Sequence, residues 1–178
     1  MADDAPGSAD DRRRLTAELD LERKQLIRNI ETCRIRDIDR HFIGDWSLKD
    51  IVGHVASWEA EVVSALRELA EGKRPTLLDF NDANLDRWNK DHVERKRDLN
   101  FWSVYEQLKG GRTRLAEELE RVADEDLTAE GSVSGQLTRS LIVHDREHWH
   151  EIAAVLAGMA GARPEAHASV PAEAHAQG

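Results

Sequence analysis

Apolar residues recur along most of the chain at steps of three, four and seven, the spacing that lays a stripe on one face of an α-helix. From Asp10 to Cys33 the stripe is Leu15, Leu19, Leu26, Ile30 and Cys33. Residues 34–45, with Gly44 and mixed charges, read as a connector. A second helix starts at Trp46-Ser47-Leu48-Lys49-Asp50, where Ser47 is placed to cap, Asp50 three residues on completes a capping-box pattern, and Trp46 can staple the turn. Ile51, Val55, Trp58, Val62, Leu66 and Leu69 carry its stripe to about Ala70, and Gly72 is a plausible stop.

Residues 72–100 are less regular, with a short helix predicted over Phe80 to Arg95. The next long helix runs from a cap at Asn100 to about Val122, on Val104, Leu108, Leu115, Leu119 and Val122. Gly110-Gly111 falls inside it, at about 1 kcal/mol per glycine against alanine, which predicts a kink or a close backbone approach. A loop over 124–135 leads to the last helix, about Gln136 to Ala160, whose stripe is Leu137, Leu141, His144, His148, Ile152, Val155 and Met159.

Four long amphipathic helices bury their stripes against one another, so the predicted fold is all-α: a four-helix bundle over residues 10–160. Residues 1–9 are expected to form a flexible leader and 161–178, rich in Ala, Pro and Glu, a disordered tail. The connection of roughly 28 residues between the second and third long helices exceeds what an antiparallel hairpin needs. It predicts that those two helices run parallel, in up-down-down-up order.

Composition narrows the function. A net charge of −10 argues against nucleic acid as the main partner, because phosphate binding needs a basic face. The basic clusters Arg12-Arg13-Arg14 and Arg95-Lys96-Arg97 adjoin acids and read as solvated helix faces. Cys33, the single cysteine, excludes an intrachain disulfide. The acidic segment Met1 to Asp11 does not resemble a signal peptide, and the near-apolar run Ala153 to Ala162 is far short of the ~20 residues that span a bilayer. The expectation is a cytoplasmic protein that meets neither membrane nor nucleic acid.

Candidate chemistry lies where leucines would be expected. His144 and His148 take successive places in the buried stripe of the last helix, four apart and so about 5–6 Å between Cβ atoms. His54, three after Ile51 and four before Trp58, also points into the bundle. Three converging imidazoles fit a divalent transition metal, zinc or nickel before iron or manganese, with a position left open for water or a substrate thiolate. The alternative is that these histidines only pack or face solvent. Burying three imidazoles without a partner is costly, which favours a shared ion. Glu151, three after His148, either orients a ligand, moves a proton or faces solvent. His150 falls on the opposite side of the helix, His41 and His92 lie in connectors, and His167 and His175 lie in the tail. Trp58 belongs to the core stripe, whereas Trp88, Trp102 and Trp149 either line a pocket or pack.

Trp46-Ser47-Leu48-Lys49-Asp50-Ile51-Val52-Gly53-His54-Val55-Ala56-Ser57-Trp58-Glu59 resembles the second-helix signature of the DinB/YfiT-like superfamily. His144-Asp145-Arg146-Glu147-His148-Trp149-His150-Glu151-Ile152 resembles its last-helix signature, in which two histidines four apart are followed by Arg-Gly-Gln-Ile. Trp149-His150-Glu151 departs from that signature and leaves the substrate arm of the superfamily open. The resemblance implies an up-down-down-up bundle, often a homodimer, with a divalent metal on His54, His144 and His148. It also implies action on a small molecule with a low-molecular-weight thiol such as mycothiol or bacillithiol, by S-transfer or isomerisation. Hydrolase-like and toxin-protecting relatives keep two other readings open: a hydrolase that activates water on the metal, and a non-catalytic ligand-binding bundle. Cys33 has no helper nearby in sequence, so the thiol of an S-transfer would come from outside.

Overall fold

A computed structural model describes residues 6–161. The leader expected over 1–9 and the tail expected over 161–178 lie largely outside these residues. The first helix, α1, is Pro6–Thr32. The segment after it is more than a connector. A 3₁₀ turn at Ile35–Asp37 precedes a small antiparallel hairpin of β1, His41–Ile43, and β2, Trp46–Ser47. Gly44 holds φ at +56°, the conformation a two-residue hairpin turn needs at its first central position. Strands of three and two residues are too short to show alternation in the sequence.

Ser47 then caps α2, Leu48–Ala70. Its side chain accepts from the Asp50 backbone N–H, and the Asp50 carboxylate accepts from the Ser47 N–H at 2.9 Å, so the predicted capping box is formed. Gly72, with φ at +71°, follows the end of the helix. Asn81 caps α3, Asp82–Arg95, and Asn100 caps α4, Phe101–Leu119. The predicted loop over 124–135 contains a five-residue helix, α5, Asp124–Thr128, and α6 starts earlier than expected, spanning Val133–Gly161.

Side-chain meetings give the helix directions. Gly53 faces Val104, Glu59 faces Gly111, and Arg67 pairs with Glu118, so α2 and α4 run parallel. Two apolar clusters settle the rest. One holds Leu19, Val62, Leu66, Leu115 and Leu141; the other holds Leu26, Ile51, Val55, Leu108 and Ile152. Moving from the first cluster to the second, residue numbers rise in α1 and α6 and fall in α2 and α4. The order is up-down-down-up, with α3 and its flanking turns carrying the chain back between α2 and α4.

Gly110-Gly111 produces a close approach. A Cβ on Gly111 would lie 2.6 Å from Oε1 of the buried Glu59, so glycine lets that carboxylate reach the α4 backbone.

Candidate metal centre

The apolar stripe of α2 turns His54 inward, and the α6 stripe brings His144 and His148 to face it. The Nε2 atoms of His54 and His144 are 2.9 Å apart, and those of His144 and His148 are 3.2 Å apart. One ligand nitrogen from each ring lies within 4.8 Å of the others. The structure therefore brings together all three histidines singled out in the sequence.

Two of the three separations, those from His144 to His54 and to His148, match nitrogens bound to one metal ion. Nitrogens bound at about 2.0–2.1 Å and separated by 90–110° lie roughly 2.9–3.4 Å from one another. Protons suit it less well. An imidazole nitrogen has a single in-plane site, carrying either a proton or a lone pair. His144 Nε2 has two imidazole nitrogens within 3.2 Å, and a proton there can satisfy one of them. A cation between the rings uses all three lone pairs at once.

The surroundings keep those lone pairs free. His54 is pushed down to about 3, first by burial and then by the neighbouring His148, His92 and Lys96 charges. Burial, followed by His148, His54 and Arg23, holds His144 well below the usual histidine range. His148 is fixed differently. Its Nδ1 lies 3.0 Å from the Glu151 carboxylate, which fixes the ring with Nε2 turned towards His144. The Nδ1 atoms of His54 and His144 are buried without a partner among the described residues.

Aromatic rings wall the cluster. The hairpin delivers Trp46 to 5.0 Å from the His54 ring, Trp88 of α3 stands 6.2 Å from it, and Trp58 stands 5.9 Å from His144. Trp58, Trp88 and Phe80 also pack on one another. His92, expected in a connector, lies on α3 and stacks on Trp88 at 3.9 Å. A shallow groove of about 460 Å³ runs from His144 past Trp58 and Val143 to Arg139. Trp102 is largely exposed elsewhere, and Trp149 packs away from the site, its Nε1 donating to Glu22 at 2.6 Å. His41 and His150 are exposed, and His167 and His175 lie outside the described residues.

Four charged residues that the sequence reading passed over lie beside the triad. Arg23 donates from Nε and Nη2 to the two Asp145 oxygens at 2.8 and 2.9 Å, and from Nη2 to Glu59 at 3.0 Å. Arg112 Nη2 lies 2.8 Å from Asp145 and 3.0 Å from Glu59. Both carboxylates are fully buried. A signal was present in the stripes: α1 steps by seven from Leu19 to Leu26, and α4 steps by seven from Leu108 to Leu115. Arg23 and Arg112 each lie four residues into that gap, where an apolar residue is missing.

The three histidines, Glu151 and the aromatic wall all lie on the segment from the start of β1 into α6. The family model described as the mycothiol maleylpyruvate isomerase N-terminal domain matches residues 41–154, which is that segment. No curated protein and no solved structure matches the chain. No helix among the described residues is long and apolar enough to cross a membrane. Matched over more than half its length, the chain belongs to the mycothiol maleylpyruvate isomerase N-terminal domain family, a DinB/YfiT-like family of four-helix bundles.

Proposed function

We propose that this protein is a metal-dependent enzyme that acts on a small molecule with a low-molecular-weight thiol, by S-transfer or isomerisation. His54, His144 and His148 hold the metal. The observation that carries this reading is the convergence of three Nε2 atoms, with one nitrogen at 2.9 and 3.2 Å from two others. A divalent transition metal bound there, zinc or nickel, supplies a Lewis acid that lowers the pKa of a coordinated thiol.

The chain's own residues prepare the place. Burial keeps His54 and His144 neutral, and Glu151 holds the His148 ring by its Nδ1. Trp46, Trp58 and Trp88 limit water at the flanks and offer flat apolar faces to a substrate. The attacking sulfur is not the protein's own. Cys33 lines a separate pocket with Ile30, Phe101 and Tyr105, and burial, then the Asp37 charge, push its thiol up to about 11. An external thiol agrees with the family description, which names mycothiol.

The test is consumption of a panel of electrophiles by metal-loaded protein with mycothiol, with bacillithiol and with no thiol. Turnover that needs a thiol and disappears in His54→Ala is the expected result. Turnover without thiol would instead identify a hydrolase. Tight ligand binding indifferent to chelator, with no turnover, would identify a sequestering bundle.

A further inference from the structure

We propose that the buried tetrad Arg23, Glu59, Arg112 and Asp145 is the positioning device of the metal centre, setting the register of α6 against α2 so that His144 and His148 meet His54. The inference rests on the metal reading above and concerns what aligns its ligands.

Each long helix contributes one member: α1 Arg23, α2 Glu59, α4 Arg112 and α6 Asp145. On every helix that member lies between the two apolar clusters, after Leu19 and before Leu26, for example, or after Leu108 and before Leu115. Asp145 directly follows His144, and Glu59 lies five residues beyond His54. The bridge Asp145–Arg23–Glu59 thus ties the two ligand-bearing helices together through a third, and Arg112 closes it from the fourth.

Stability alone does not account for such a cluster. Ion pairs this deeply buried pay a desolvation penalty that well-packed apolar residues avoid, and their best-attested use is to specify register. Register is what the α6 stripe leaves weakly defined. Its positions 137, 141, 144, 148 and 152 recur at steps of three and four, so a slip of one turn, about 5.4 Å, again presents stripe residues to the core. Asp145 breaks that degeneracy, because its carboxylate meets the Arg23 fork with two parallel hydrogen bonds at one register only. Glu59 does the same for α2 against α4, since its carboxylate fits only where Gly111 leaves room.

The test replaces the whole tetrad with apolar residues, Arg23→Met, Glu59→Leu, Arg112→Met and Asp145→Leu together, so that no charge is left unpaired. Cobalt(II) is titrated into the full chain, reading the dissociation constant and the visible d–d spectrum, with far-UV circular dichroism and thermal unfolding as the check on folding. The expected result is a folded bundle that binds cobalt about 10–100-fold more weakly than wild type, with a changed spectrum. A folded variant with wild-type affinity and spectrum overturns the proposal. If the fourfold variant does not fold, Arg23→Lys, which keeps the charge but lacks the planar fork, decides by the same criteria. If wild-type protein binds no cobalt while folded, the metal reading itself falls and takes this inference with it.

Discussion

Glu59 Oε1 occupies the space beside Gly111 where a side chain would begin, 2.6 Å from the position of a Cβ. The carboxylate cannot move aside readily, because it is fully buried and held by Arg23 and Arg112. The neighbouring Gly110 has no such contact; a Cβ there would meet only the Arg114 guanidinium at 3.5 Å. The two glycines therefore respond to alanine in opposite directions. Gly110→Ala should raise stability by up to about 1 kcal/mol through helix propensity. Gly111→Ala should lower it by about 1–3 kcal/mol, as overpacking outweighs the same propensity gain. Urea midpoints of the two variants check this; a stabilised Gly111→Ala would show that Glu59 is free to move.

Ser47 both accepts from Asp50 and donates to it, at the start of the helix that carries His54. Ser47→Ala should cost about 1 kcal/mol of stability, the usual loss for a cap, read from the shift in thermal midpoint. An unchanged midpoint would mean that β2 and Trp46 hold the helix start without the cap.

Glu151 is half exposed, and its contact is with His148 Nδ1. Glu151→Gln should therefore leave unfolding within about 0.5 kcal/mol of wild type. It should also weaken zinc binding by about tenfold or more, as outer-shell substitutions do. Competition against a chelating dye measures the second quantity, and equal affinities would remove Glu151 from the site.

Cys33 provides a pH test. Its thiol is raised to about 11 by burial and by the Asp37 charge, so thiolate grows more abundant as pH rises towards that value. At pH 8 the thiolate fraction is about 200-fold below that of an ordinary cysteine near 8.5, while greater intrinsic nucleophilicity returns about tenfold. Alkylation by iodoacetamide should run roughly twentyfold slower in folded protein than in urea and quicken steadily from pH 8 to 10. Equal rates in the two states would contradict the burial of this thiol.

The four long helices were legible because each carries an apolar stripe several turns long, and Ser47, Asp50 and Asn100 marked two helix starts by local chemistry. His54, His144 and His148 stood out as polar residues in apolar positions. The tetrad was hidden for a physical reason. Arg23 and Asp145 are 122 residues apart and meet only once α1 and α6 pack. Before that, each resembles an ordinary charged residue, and only the stripe gaps at Arg23 and Arg112 set two of them apart. The same holds for Trp88, whose place beside His54 depends on how α3 crosses between α2 and α4. The hairpin and α5 escaped because two, three or five residues are too few to display a period.

The metal centre is tested most directly by elemental analysis of purified protein after supplementation with zinc, nickel, iron, manganese and cobalt, beside His54→Ala and His148→Ala. Close to one divalent ion per wild-type chain is expected, with a large loss in both variants while they remain helical. Less than about 0.1 ion per wild-type chain, or full retention in the variants, would contradict the assignment of His54, His144 and His148 as ligands.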